Sequence, residues 1–80
     1  MTREEVLEQV KVILVETLSV DEDKVTMKAR FQEDLETDSL DLVELVMTME
    51  DKFGIKITDE EAAEIKTVGQ AVDFVMGRLA

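Results

Sequence analysis

Apolar residues recur at helical spacing in four stretches of this chain, separated by segments in which that spacing is lost. The pattern predicts helices over Arg3 to about Leu18, Ser39 to about Phe53, Asp59 to about Ile65 and Val68 to Leu79. The third helix is short. A chain that can bury four such stripes is expected to be an all-α four-helix bundle with one short helix and a long first loop.

The helix starts carry capping signals. Three of them match the capping box, in which a Thr hydroxyl and a Glu or Gln side chain satisfy free backbone N–H groups reciprocally: Thr2 with Glu5, Thr58 with Glu61, and Thr67 with Gln70. Asp38 is the predicted cap of the second helix, and Gly54 marks its end.

The first and last helices each present one apolar face, which we expect to be core. The two faces consist of Val6, Leu7, Val10, Ile13, Leu14 and Leu18 on the first helix, and Val68, Ala71, Val72, Val75 and Leu79 on the last.

Between the first two helices lies a long loop, from Ser19 to Thr37. We expect five apolar residues to pin it to the bundle, and a short helical turn near Phe31 to Asp34 to shorten it. The five are Val20, Val25, Met27, Phe31 and Leu35. Ile55 to Ile57 alternates like a strand but has no candidate partner, so it is predicted to be an extended connector.

The second helix has two apolar stripes on nearly opposite sides. Leu42, Leu45, Val46, Met49 and Phe53 form one stripe, and Leu40, Val43 and Met47 form the other. One stripe must be core, so the other faces solvent unless the long loop covers it. An exposed apolar stripe rimmed by Asp41, Glu44 and Asp51 would suit protein docking. Burial beneath the loop is the alternative.

Composition narrows the chemistry. The 80 residues, predicted to form one domain over 1–80, include no cysteine and no histidine, which removes most nucleophiles and transition-metal ligands. The net charge of −11 argues against nucleic acid and for basic protein partners. No leader or membrane-length apolar run is visible, so we expect a soluble, cytoplasmic monomer without stable membrane insertion.

Much of this charge is concentrated in one stretch. Between Phe31 and Asp51 there is no basic residue and there are eight acidic ones: Glu33, Asp34, Glu36, Asp38, Asp41, Glu44, Glu50 and Asp51. Ser39 lies within this stretch, in the first turn of the second helix. A phosphate ester there would meet free N–H groups and the positive end of the helix dipole, although Asp38 and Asp41 would repel it. From spacing alone, an ordinary first-turn serine is the favoured interpretation of Ser39.

The stretch from Phe31 to Met47, with its Asp38-Ser39-Leu40 triplet, closely resembles the signature of acyl carrier proteins. The resemblance extends to the run from Phe53 to Glu61 and to the run from Ile65 to Val72. The triplet alone is a weak signal, but in this context it is specific.

The resemblance implies that a phosphopantetheinyl transferase moves 4'-phosphopantetheine from coenzyme A to Ser39. The arm then carries acyl chains as thioesters between fatty acid synthesis enzymes, so the protein is a carrier rather than an enzyme. By the same resemblance, the second helix docks on basic patches of those enzymes, through Asp38, Leu40, Asp41, Val43, Glu44, Met47, Glu50 and Asp51. The interior near Leu45, Val46, Phe53, Ile65 and Ala71 would shelter the acyl chain.

One departure from the family pattern is visible, because many relatives have Gly where this chain has Glu36. Asp38 favours the fatty-acid or polyketide type over peptidyl carriers. A carrier for a polyketide or other specialised pathway, and an unmodified acidic adaptor, are the alternatives. A calcium loop founded on Asp21 and Asp23 is excluded, because Thr26 and Gln32 stand where Gly and Glu are needed. No other metal site is expected.

Overall fold

A computed structural model describes residues 2–79, so Met1 and Ala80, the ends of the predicted 1–80 domain, lie outside the described residues. The helices are α1 (Arg3–Leu18), α2 (Ser39–Phe53), α3 (Asp59–Glu64) and α4 (Val68–Leu79), with a 3-10 turn at Glu22–Lys24. The all-α class, the four helices and the short third member are therefore confirmed. Helix α3 ends one residue before the predicted boundary.

The predicted caps are present. Thr2 and Thr58 each form a capping box with the Glu three residues later, and Thr67 and Gln70 exchange the equivalent bonds at 3.1 Å. Helix α2 ends at Gly54, whose φ of 64° is the left-handed conformation that glycine adopts without steric cost. The helix boundaries thus follow from local chemistry.

Helix α1 is the centre of the bundle and packs against both α2 and α4. The fully buried side chains at this centre include Val6, Val10, Ile13, Leu14, Leu45, Met49, Val68, Val72 and Val75. Leu79 was predicted to belong to this core but is 41% exposed, so that prediction was wrong. It lies in the last turn of α4, beyond Val75, which is the last buried residue of that helix.

The long first loop is pinned as predicted. Val25, Phe31 and Leu35 are buried, and Val20 and Met27 pack partly buried against the core. The expected helical turn near Phe31–Asp34 is present as a single turn, in which Asp34 N–H donates to the Arg30 carbonyl at 2.9 Å and Leu35 N–H shares the same oxygen. A second, unpredicted helical turn lies at Glu22–Lys24, where the Asp21 carboxylate accepts the Asp23 N–H at 3.0 Å and caps it.

Backbone bonds tie the loop to the segment before α4. Phe31 N–H donates to the Lys66 carbonyl at 3.0 Å, Val68 N–H to Ala29 at 2.9 Å and Gly69 N–H to Met27 at 2.9 Å. Arg30 and Thr67 form an antiparallel bridge, while residues 55–58 join α2 to α3 without regular structure. These bonds hold the loop beside the start of α4.

Candidate functional site

Ser39 is the first residue of α2, and its side chain is exposed. Asp38 caps the helix: its carboxylate accepts the Asp41 N–H at 2.9 Å, and the Asp41 carboxylate accepts the Asp38 N–H at 3.2 Å. The two acidic neighbours of Ser39 are thus engaged with the backbone of the helix start. Within residues 2–79, the N–H groups of Ser39 and Leu40 meet no acceptor, so two donors remain beside the hydroxyl.

A closed loop fixes the chain immediately before this helix. Buried Thr37 donates its hydroxyl to the Phe31 carbonyl at 2.7 Å, and its N–H donates to the same oxygen at 3.0 Å. Phe31 is itself fully buried. Because both ends of this loop are bound to the core, the position of Ser39 is set by packing rather than by a free loop.

Arg30 and Asp34 stabilise the first turn of that loop. The Asp34 carboxylate accepts the Arg30 N–H at 2.9 Å and lies beside the Arg30 guanidinium. The backbone hydrogen bond from Arg30, and then the bond from its guanidinium, lower the pKa of Asp34, while the hydrogen bond to the Asp34 carboxylate and the charges of Asp34 and Glu33 raise the pKa of Arg30. Asp34, one of the eight acidic residues near Ser39, is therefore structural.

A cleft of about 990 Å³ opens between α2 and α3, with Ser39 among its lining residues. Its apolar walls are Leu42, Val43, Leu45, Val46, Met47 and Met49 from α2, with Phe31, Ile57, Ala62, Ala63 and Ile65 opposite; the exposed Val43 and Met47 lie at its open edge. We call this space the α2–α3 cleft. An exposed hydroxyl beside an apolar cleft of this size is suited to carrying a tethered apolar group.

Helix α2 also presents an unburied apolar stripe. Leu40 is 79% exposed, Val43 56% and Met47 60%, so the predicted solvent-facing stripe is confirmed, and the alternative of burial beneath the loop is wrong. Asp38, Glu44 and Asp51 are exposed on the same helix, while Asp41 and Glu50 are partly buried. The result is an apolar strip within an acidic surface.

Comparisons with known proteins identify the family. The family model of the phosphopantetheine attachment site matches residues 8–75. The chain is similar to the acyl carrier proteins of Rubrobacter xylanophilus, 55% identical over 95% of this chain and 94% of the relative, and of Petrotoga mobilis, 53% identical over 99% and 93%. That of Thermosynechococcus vestitus is 50% identical over 100% and 99%.

The chain belongs to the acyl carrier protein family. Its cofactor is accordingly phosphopantetheine, and the protein is a carrier on which other enzymes act rather than a catalyst. The geometry fits the arm, because an exposed hydroxyl, two N–H donors without acceptors and an apolar cleft meet at one point of this acyl carrier protein.

Some expectations about the acyl carrier site need correction. Leu45, Val46 and Ile65 line the cleft as expected, but Phe53 and Ala71 do not. Phe53 lies in the last turn of α2, and fully buried Ala71 lies in the α4 face that packs on the core. The helical periodicity of each separate element could not show how α2 and α4 are rotated relative to the cleft.

Sequence reasoning also missed two parts of the site. One is the wall formed by Ala62 and Ala63. The sequence signal for it was a pair of small residues in a short helix, because small side chains leave room opposite α2. The bond from Ile57 N–H to the Glu50 carboxylate, at 3.1 Å, had no local signal, because the two residues lie on different elements. Among residues 2–79, no helix is long and apolar enough to cross a membrane, and no acidic cluster is arranged to hold a metal ion.

Proposed function

We propose that Ser39 is the residue to which 4'-phosphopantetheine is attached, and that the protein carries acyl chains between the enzymes of fatty acid biosynthesis. The observation that carries the proposal is the exposed Ser39 side chain at the first position of α2, on the rim of the apolar α2–α3 cleft. When bound, the arm supplies the thiol that holds acyl groups as thioesters, a group that a chain without cysteine lacks.

The start of α2 would stabilise the phosphodiester. The N–H groups of Ser39 and Leu40 lack acceptors in the described chain and lie at the positive end of the helix dipole. Asp38 and Asp41 oppose this with negative charge, but N–H groups of the capping box already bind both carboxylates. We infer that the diester stays on the solvent side of the helix end, where water screens the repulsion.

The acyl chain would occupy the α2–α3 cleft. Burial of an apolar chain against Leu45, Val46 and Ile65 gains roughly 25 cal/mol per Å² of apolar surface removed from water. That gain grows with chain length until the cleft is filled. Longer chains should therefore stabilise the folded protein more than shorter ones.

We further propose a docking surface on and beside α2 for the phosphopantetheinyl transferase and the fatty acid synthesis enzymes. It comprises Asp38, Leu40, Asp41, Val43, Glu44, Met47, Glu50 and Asp51. The exposed stripe supplies apolar contact and the carboxylates supply attraction to basic patches. The single domain over 1–80, the monomeric state and the cytoplasmic compartment remain predictions.

Intact mass tests the attachment. Incubation with coenzyme A and a phosphopantetheinyl transferase should add the mass of one arm, and Ser39→Ala should abolish the addition. Ser19→Ala is the matched control, because Ser19 is the other serine of the chain and caps the end of α1. Modification that persists in Ser39→Ala, or is lost in Ser19→Ala, would contradict the proposal.

The acyl groups on native protein test the pathway. Straight saturated chains of graded length are expected from a fatty acid carrier. Keto-bearing or branched chains alone would indicate a polyketide or other specialised pathway. Native protein without an arm would favour the unmodified adaptor.

A further inference from the structure

Glu50 binds the segment that follows α2 through both its side chain and its backbone carbonyl. It is partly buried in the last turn of the helix, and its carboxylate accepts the N–H of Ile57, seven residues further on, at 3.1 Å. Its backbone carbonyl also accepts the N–H groups of Gly54 and of Ile55. One residue therefore fixes three N–H groups of the segment that leaves α2.

That segment leads into the wall of the cleft opposite α2. Ile57 is 8% exposed and lines the cleft, and Ala62 and Ala63 of α3 continue the same wall. The bond from Glu50 is charge-assisted, which makes it about twice as strong as a neutral one. It sets the separation between α2 and the start of this wall.

Helix α3 has few other attachments. A helix of six residues is not stable by itself. It is held by the ion pair of Glu61 with Arg78, by the connector that Glu50 binds, and by Ala62 and its C-cap Ile65, which pack in the core. The backbone bond from Thr58 chiefly, and Arg78 in addition, lower the pKa of Glu61. With so few anchors, loss of one should move the wall.

Glu50 also lies far from the attachment site. It follows Ser39 by eleven positions in one helix, which places the two about 16 Å apart along the axis at 1.5 Å per residue. Both line the α2–α3 cleft. The Glu50–Ile57 bond therefore lies towards the end of the cleft that a chain tethered at Ser39 reaches last.

We propose that Glu50 is a positioning residue that fixes the far wall of the cleft and thereby limits the length of acyl chain that it accommodates. This role rests on the proposed attachment at Ser39 and on entry of the chain into the cleft. It differs from electrostatic docking, because it needs a hydrogen-bond acceptor at position 50 and does not need a charge there.

The test is a melting series on protein carrying saturated acyl chains of increasing length. In the wild type, the melting temperature should rise with chain length and stop rising once the chain reaches the far wall. In Glu50→Ala, the rise should continue to longer chains. Glu50→Gln keeps an acceptor for the Ile57 N–H and should stop at the wild-type length, although it has lost the charge.

Glu16→Ala is the matched control, because Glu16 is an exposed carboxylate on α1 outside the cleft. It should leave unchanged the limiting length, which is the acyl chain length at which the melting temperature stops rising. Hydrogen exchange of the Ile57 amide in protein without an acyl chain gives a second readout: it should quicken in Glu50→Ala and stay close to wild type in Glu50→Gln.

The outcomes separate the two proposals. A lower melting temperature of Glu50→Ala at every length, with the limiting length unchanged, would make Glu50 merely structural and overturn the inference. No dependence on length in the wild type would instead overturn entry of the chain into the cleft. If Glu50→Ala does not fold, Glu50→Asp replaces it, because its shorter side chain withdraws the acceptor; an unchanged limiting length there would also overturn the inference.

Discussion

Glu36 adopts a backbone conformation that is costly for a residue with a side chain. Its φ is 55°, and Ser19, which caps α1, has a φ of 56°. The left-handed region costs an L-residue roughly 1–2 kcal/mol, because Cβ approaches the following carbonyl. The strained residue lies three positions before Ser39 and is the one at which the sequence departs from the family pattern that it resembles.

Glu36→Gly should stabilise the protein. Relief of the strain exceeds the extra chain entropy of Gly, which is about 0.5–1 kcal/mol, so we expect a net gain of up to about 1 kcal/mol in the free energy of unfolding. Urea unfolding measures it. Glu36→Gln removes the charge and keeps the strain, and it should gain less. An equal gain in both variants would assign the effect to charge.

The helices were predictable because their signals are local. Thr58 and Glu61 define the start of α3 within four residues, and Gly54 ends α2 where its left-handed φ is needed. The contacts between elements were not predictable in the same way. The bridge between Arg30 and Thr67 and the bond from Glu50 to Ile57 join segments far apart in sequence, and no periodicity reports them.

The candidate site likewise has a part that local sequence signals predict and a part that depends on packing between elements. Ser39 and the exposed stripe of Leu40, Val43 and Met47 follow from a cap and a helical wheel, together with the family resemblance. The shape of the α2–α3 cleft depends on how α3 and the long loop pack. Its lining could therefore be predicted only in part.

Packing of the long loop against α4 depends on a glycine. A Cβ at Gly69 would lie 2.8 Å from the Met27 carbonyl oxygen, which also accepts the Gly69 N–H. Gly69→Ala should therefore move the loop from the start of α4 and destabilise the protein by about 1–3 kcal/mol, as other overpacked substitutions do. Thermal unfolding measures the loss.

Gly77→Ala provides the matched control for that substitution. Gly77 lies in the same helix, and a Cβ there would meet nothing within 4 Å. Alanine is the better helix former by roughly 0.8–1 kcal/mol, so this variant should be more stable than the wild type. Equal losses in both variants would mean that contact with Met27 does not decide the result at position 69.

At the scale of the whole molecule, the dominant property is the net charge of −11. Much of it lies around α2, and the loop before this helix brings three cations, Lys24, Lys28 and Arg30, of which Arg30 forms ion pairs with Glu33 and Asp34. Like charges on a small protein repel and oppose the compact state, yet the same charges attract basic partners. The same negative charges therefore oppose folding and favour docking.

Added salt should therefore have two opposite effects. Screening shortens the reach of exposed charges to about 8 Å at physiological ionic strength, so the melting temperature of the free protein should rise with sodium chloride while its affinity for a phosphopantetheinyl transferase falls. Magnesium at equal ionic strength should raise the melting temperature further, because divalent cations concentrate near clustered carboxylates. Calorimetry of the free protein and titration with the transferase measure the two effects. A melting temperature that does not change with magnesium would contradict self-repulsion of the carboxylates. An affinity for the transferase that does not change with salt would make the exposed stripe the main source of that affinity.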